Sequence, residues 1–264
     1  MGVRMTHAIN SVLQKSQTGR YKHYGLVIGA SSEIAKALVA RMLEDSSLLV
    51  VVFSRNFSNE YHGLVDNYKQ LTLVTCNYDE SEIINISREL KSINLPCSYV
   101  FVCNGVLQQG NIKPEKKLAM FNADSFLEQI KINTVLPMLW IKNLVTVLKK
   151  SDHCRFVVLS ARVGSISDNY LGGWYGYRSS KAALNMLVKT AAIEYGRSAK
   201  GVKFIAFHPG TTDSPLSKPF QSNLAKEKIF SPEFVAGQLF SILKDIEINN
   251  QASFLDWQGK SVEW

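Results

Sequence analysis

YGLVIGASSEIAKALVARMLEDSSLLVVVF, residues Tyr24–Phe53, opens with a short apolar run that stops at Gly29. Ser31, Ser32 and Glu33 follow, and then Ile34, Ala35, Ala37, Leu38, Val39, Met42 and Leu43 recur at helical spacing. This pattern reads as a strand, a tight turn with N-cap residues and an amphipathic helix, closed by Asp45-Ser46-Ser47. Leu48–Phe53 is apolar throughout, as expected of a strand in a parallel sheet covered on both faces.

Working outward, further strands are expected at Leu71–Thr75, Tyr99–Cys103, Phe156–Ser160, Lys203–Phe207 and Ala252–Leu255, with helices at Ser81–Ser92, Asn133–Lys150, Tyr177–Tyr195 and Pro232–Leu243. Such alternation predicts an α/β protein: one domain, residues 24–264, with a doubly wound, mainly parallel sheet of about seven strands. Residues 1–23 read as a basic N-terminal lead outside that domain, open to disorder; no acid precedes Glu33. Asn56–Gln70 shows no readable period, and Thr211–Phe230, interrupted by Pro215 and Pro219, reads as a mobile loop beside the site.

The 264 residues, 46% of them hydrophobic, suffice for a large core. No apolar run reaches the ~20 residues a membrane span needs. The formal charge is +8, but the basic residues are scattered and no nucleic-acid signature accompanies them, so neither nucleic acid nor membrane is expected as a partner. The four cysteines form no CxxC pair and no metal-ligand spacing; Cys103 and Cys154, in or beside apolar runs, read as buried thiols of a reducing compartment, and a cytoplasmic protein with no metal site is expected.

Ligands of open α/β sheets bind at the carboxyl ends of the strands. Gly29, Ser54-Arg55, Asn104-Gly105, Ser160 and Pro209-Gly210 all stand at expected strand ends and should line one crevice. Ser31, Ser32 and Ile34 lie where the helix N-terminus attracts phosphate. Tyr177 and Lys181 stand one helical turn apart on a common face, where an ammonium is expected to lower the phenol's pKa and prepare it for proton exchange. One YxxxK in a chain with ten tyrosines proves little alone.

In combination these pieces resemble the short-chain dehydrogenase/reductase family, particularly its C-factor-like branch related to Sniffer-type carbonyl reductases. The carriers are the turn Ile28–Ala35, Cys103-Asn104-Gly105, LSARVGSISDN, Tyr177/Lys181 and His208-Pro209-Gly210-Thr211. The resemblance implies an NADP(H)-dependent oxidoreductase that interconverts a carbonyl compound and an alcohol, and a homodimer or homotetramer. It makes Tyr177 the acid/base, Lys181 its partner at the nicotinamide ribose, and Asn133 the holder of a water in the proton relay; Asn133 reads equally as a helix N-cap. Gly29, Ser31, Ser32, Ile34, Arg55, Asn104, Gly105, Tyr177, Lys181, Pro209, Gly210 and Thr211 would bind the cofactor. Arg55, with no acid beside it, points to NADP rather than NAD. Alignment puts Ala161 where the family carries its catalytic serine, and Ser165 is the hydroxyl expected to replace it. Glu33 and Ala35 occupy two of the family's turn-glycine positions. The alternative reading is a non-catalytic dinucleotide-binding scaffold or signalling protein of the C-factor type.

Overall fold

The computed structural model describes residues 2–222 and 224–264. In chain order the first elements are α1 (Gly2–Ser16), β1 (His23–Ile28), α2 (Glu33–Leu43), β2 (Leu48–Ser54), α3 (Asn59–Asn67), β3 (Leu71–Thr75), α4 (Glu80–Leu90) and β4 (Cys97–Val102). Then come α5 (Ala123–Ile130), α6 (Leu136–Leu148), β5 (Cys154–Leu159), α7 (Tyr175–Ser198), β6 (Val202–His208), β7 (Thr211–Thr212), β8 (Ile229–Phe230), α8 (Pro232–Asp245) and β9 (Ser253–Asp256).

Seven strands pair in parallel in the order β3-β2-β1-β4-β5-β6-β9. The strands are apolar on both sides because both sides are covered. Leu49, Val51 and Phe53 join the core under α1, α4, α6 and α7, while Leu48, Val50 and Val52 join that under α2 and α8. All seven expected sheet strands are found. The order reverses between β1 and β4, which opens a crevice at their carboxyl ends.

Three helices go beyond the sequence reading. The basic lead is helical as α1, and its Ile9 and Val12 are fully buried in the core beside β3, so it packs on the domain. The unreadable connection contains α3, which buries only Tyr61 and therefore shows no apolar stripe. α5 precedes the expected Asn133 helix and runs into it through a turn of π-helix, Lys131–Val135, closed by Leu136 N–H donating to the Lys131 carbonyl. Pro137 contributes to this irregularity, since it offers no N–H to the Asn133 carbonyl four residues earlier. The N-cap reading of Asn133 is thereby overturned: the residue sits inside a continuous helical run, fully buried. The Thr211–Phe230 loop is pinned at both ends by pairing of β7 with β8.

Candidate active site

A cavity of about 640 Å³ occupies the crevice. Its wall includes Gly29, Ser31, Ser32, Ile34, Arg55, Asn104, Gly105, Tyr177, Lys181, Pro209 and Gly210, so the structure gathers most of the expected residues into one place. Thr211 is outside that wall, paired with Ile229 in the β7–β8 ribbon, and Thr212 lines the cavity in its stead.

At one end Gly29 makes the turn into α2 with φ +86°, a left-handed conformation that favours glycine. A Cβ there would stand 2.8 Å from the Asn104 backbone nitrogen, so the turn also depends on glycine for its close approach to the end of β4. Glu33 begins α2 and its carboxylate is held by Lys36 at 3.0 Å, which offsets its charge beside the cavity. The Asn104 Oδ1 atom is buried without a hydrogen-bond partner. A left-handed glycine, helix-end amides and an unsatisfied amide oxygen together fit a polyphosphate and its attached ring systems.

At the other end Tyr177 and Lys181 project from the first turns of α7, both buried, the ammonium 5.8 Å from the phenol ring centre. Lys181 Nζ donates to the Leu159 carbonyl at 2.7 Å. Burial pushes the Tyr177 phenol up to about 12 and the Lys181 ammonium down to about 8. The expected lowering of the phenol is therefore reversed, because withdrawal from water outweighs the neighbouring cation.

Asn133 does not touch the phenol directly. Its Oδ1 accepts from Val106 N at 2.7 Å, and its Nδ2 donates to Val106 O at 2.8 Å and to Ser180 Oγ at 3.0 Å. Ser180 Oγ in turn donates to the Tyr177 carbonyl at 2.8 Å. This chain fixes the loop after β4, the π-turn and the start of α7 in one register.

Ser165 is not brought to the site. It is buried in the turn after β5, its hydroxyl accepts from Asp168 N at 3.2 Å, and it is absent from the cavity wall. Ser160 Oγ donates to Asn185 Oδ1 at 2.6 Å and is occupied there. Ala161 lines the cavity and has no hydroxyl to offer it. Leu216 lines the cavity, while Tyr170 is 86% exposed and outside it. Trp174, outside the cavity wall, meets the Tyr177 ring edge-on at 6.2 Å and packs on Phe220 at 5.1 Å.

Sequence reasoning missed Glu115. Its buried carboxylate accepts from Gly176 N, at 3.2 and 3.3 Å, next to Tyr177, and its carbonyl accepts from Trp174 N at 2.6 Å. A lone glutamate in an irregular loop carries no periodic signal. Tyr78 was missed as well, although it follows β3 and the strand-end rule covers that position.

The short chain dehydrogenase family profile matches residues 24–225. The chain belongs to this family. A benzil reductase of Bacillus cereus is 23% identical over 242 residues, covering 85% of this chain and 95% of that enzyme. Two solved structures share the fold: the carbonyl reductase Sniffer of D. melanogaster, with a TM-score of 0.80 at 17% identity over 92% of this chain and 100% of that one, and an NADPH-bound carbonyl reductase from chicken fatty liver, with 0.79 at 22% over 93% and 100%.

Proposed function

We propose that this oxidoreductase reduces a carbonyl compound at the expense of NADPH, with Tyr177 as proton donor. The observation that carries the reading is the buried pair itself: a phenol that stays protonated at neutral pH, beside an ammonium whose pKa burial lowers to about 8, on the wall of a dinucleotide-sized crevice. A protonated phenol suits the reductive direction, in which the oxygen of the carbonyl gains negative charge and takes a proton. NADPH, when bound, supplies the hydride.

The chain's own residues do the rest. Gly29, Ser31, Ser32 and Ile34 form the phosphate cradle, and the planar Arg55 guanidinium is placed to accept a 2′-phosphate. Tyr177 gives its proton to the forming alkoxide, and the Lys181 ammonium offsets the charge of the phenolate left behind until a proton from solvent restores the phenol. Asn133, whose carbonyl Pro137 leaves without an i+4 donor, would hold a water of the proton relay there. Vicinal diketones are the first substrates to test, because a benzil reductase is among the relatives.

The test is a titration of the purified protein with NADPH and NADH, followed by turnover on benzil and quinones. NADPH is expected to bind on the order of 10²-fold tighter than NADH, and Arg55→Ala to remove most of that margin, since an exposed charge-assisted contact to phosphate supplies about 1.5–3 kcal/mol. Failure to oxidise NADPH with any carbonyl would sink the proposal. The pH dependence adds a second check. kcat/KM for NADPH reports ionisations of the free enzyme; it should fall on the alkaline side with an apparent pKa of about 8 as Lys181 loses its proton, while Tyr177, at about 12, stays protonated. A profile flat up to a pH of about 9.5 would remove Lys181 from the mechanism.

A further inference from the structure

The turn that receives the phosphates is braced from outside itself. Tyr78, just beyond β3, is a non-glycine residue at φ 68°, a left-handed conformation that costs such residues on the order of 1–2 kcal/mol. Its N–H donates to Cys76 Sγ at 3.3 Å, and its side chain anchors it further. The hydroxyl accepts from Gly29 N at 3.1 Å and donates to the Phe53 carbonyl at 2.9 Å. The ring packs edge-on against Trp140 at 6.5 Å, and Trp140 leans on Phe53 at 5.3 Å.

The Phe53 carbonyl is the node of this arrangement, because it also accepts from Gly29 N at 3.0 Å and Ala30 N at 3.2 Å. One phenol thus ties the first residue of the glycine turn to the end of β2, and it lines the same cavity with Asn77 and Asp79. Burial raises the phenol's pKa well above the ordinary 10, so it remains a donor and acceptor at any working pH. Neither Glu33 nor Ala35 can give the turn the backbone freedom that glycine would, and Gly29 is its one residue at positive φ.

We propose that Tyr78 is the positioning residue of the cofactor cradle: its hydroxyl, together with the strained backbone it stands on, fixes the Gly29 turn in the shape that receives the dinucleotide. The inference rests on the NADPH reading above. It predicts a loss confined to cofactor affinity, because Tyr177 and Lys181 are held by a separate set of contacts through Val106, Ser180 and Leu159.

The experiment compares the full-length wild type with Tyr78→Phe, which keeps the ring and its packing and removes only the hydroxyl. Kd for NADPH, read from tryptophan quenching, should rise about five- to tenfold, as expected for one hydrogen bond. kcat at saturating NADPH and the thermal midpoint of the free protein should stay close to wild type. A Kd within about twofold of wild type overturns the proposal. So does a rise in Kd matched by a comparable fall in kcat and a lowered midpoint, which would mark Tyr78 as ordinary scaffolding. If the wild type binds neither NADPH nor NADH, the functional reading falls and takes this inference with it; if the wild type binds and the variant binds equally, only this inference falls.

Discussion

Tyr177→Phe should reduce carbonyl turnover by on the order of 10³-fold while leaving NADPH affinity within about twofold of wild type. The substitution removes one oxygen and keeps the ring that packs against Trp174. The serine hydroxyls nearest in sequence are engaged: Ser160, which also lines the cavity, is bound to Asn185, Ser165 to the Asp168 amide, and the neighbouring wall position is Ala161. Nor is Lys181 a substitute donor of equal competence, since its ammonium is directed at the Leu159 carbonyl. Single-turnover reduction with saturating NADPH isolates the proton-transfer step from binding. Retention of a tenth or more of the wild-type rate would mean that the proton comes from elsewhere. If, instead, a signalling function of the chain were unaffected by the same change, the scaffold reading would gain and the catalytic one would lose its central residue.

The architecture was legible because strands buried on both faces are written as unbroken apolar runs. Leu48–Phe53 is such a run, and the structure shows its residues alternating between two cores. α3 was illegible for the opposite reason, since it buries a single residue and leaves no stripe at a period of 3.6; α5 has an apolar face, Phe126, Leu127 and Ile130, but spans eight residues and its one buried residue is the polar Gln129. α1 escaped because its basic composition masked an apolar pair, Ile9 and Val12, whose partner is a strand distant in sequence. The site was partly legible. Strand ends are set by local pattern, so Gly29, Asn104, Gly105 and Pro209 could be placed together before the fold was known. The state of the phenol could not, because the sequence shows a cation one turn away but not the burial that outweighs it. Ser165 misled for a related reason: nearness in sequence to Tyr177 says nothing of which way a turn directs its hydroxyl.

Lys181→Met should be inactive and more stable. The side chain is buried with an ammonium whose pKa lies at about 8 rather than the ordinary 10.5, and its named polar contact is one carbonyl. A folded-state pKa depressed below the unfolded value means that the unfolded chain holds the proton more tightly, so below pH 8 the charged lysine opposes folding. The span from 10.5 to about 8 corresponds to about 3 kcal/mol. Methionine has similar length and no charge, and it recovers that amount less about 1–2 kcal/mol for the Leu159 carbonyl it leaves without its donor. The net gain, about 1–2 kcal/mol, should raise the thermal midpoint by roughly 2–6 °C at neutral pH. The advantage should shrink as pH climbs from about 8 towards 10.5, where the wild-type lysine is neutral in the folded protein and then in the unfolded chain as well. Turnover should fall by on the order of 10²-fold or more, because the charge beside the phenol and the cofactor is gone. A variant both inactive and destabilised at neutral pH would show that Lys181 is held by interactions stronger than its burial penalty. One that is stabilised yet inactive would show a lysine kept in the core against the stability of the fold, which is the pattern expected of a residue retained for chemistry.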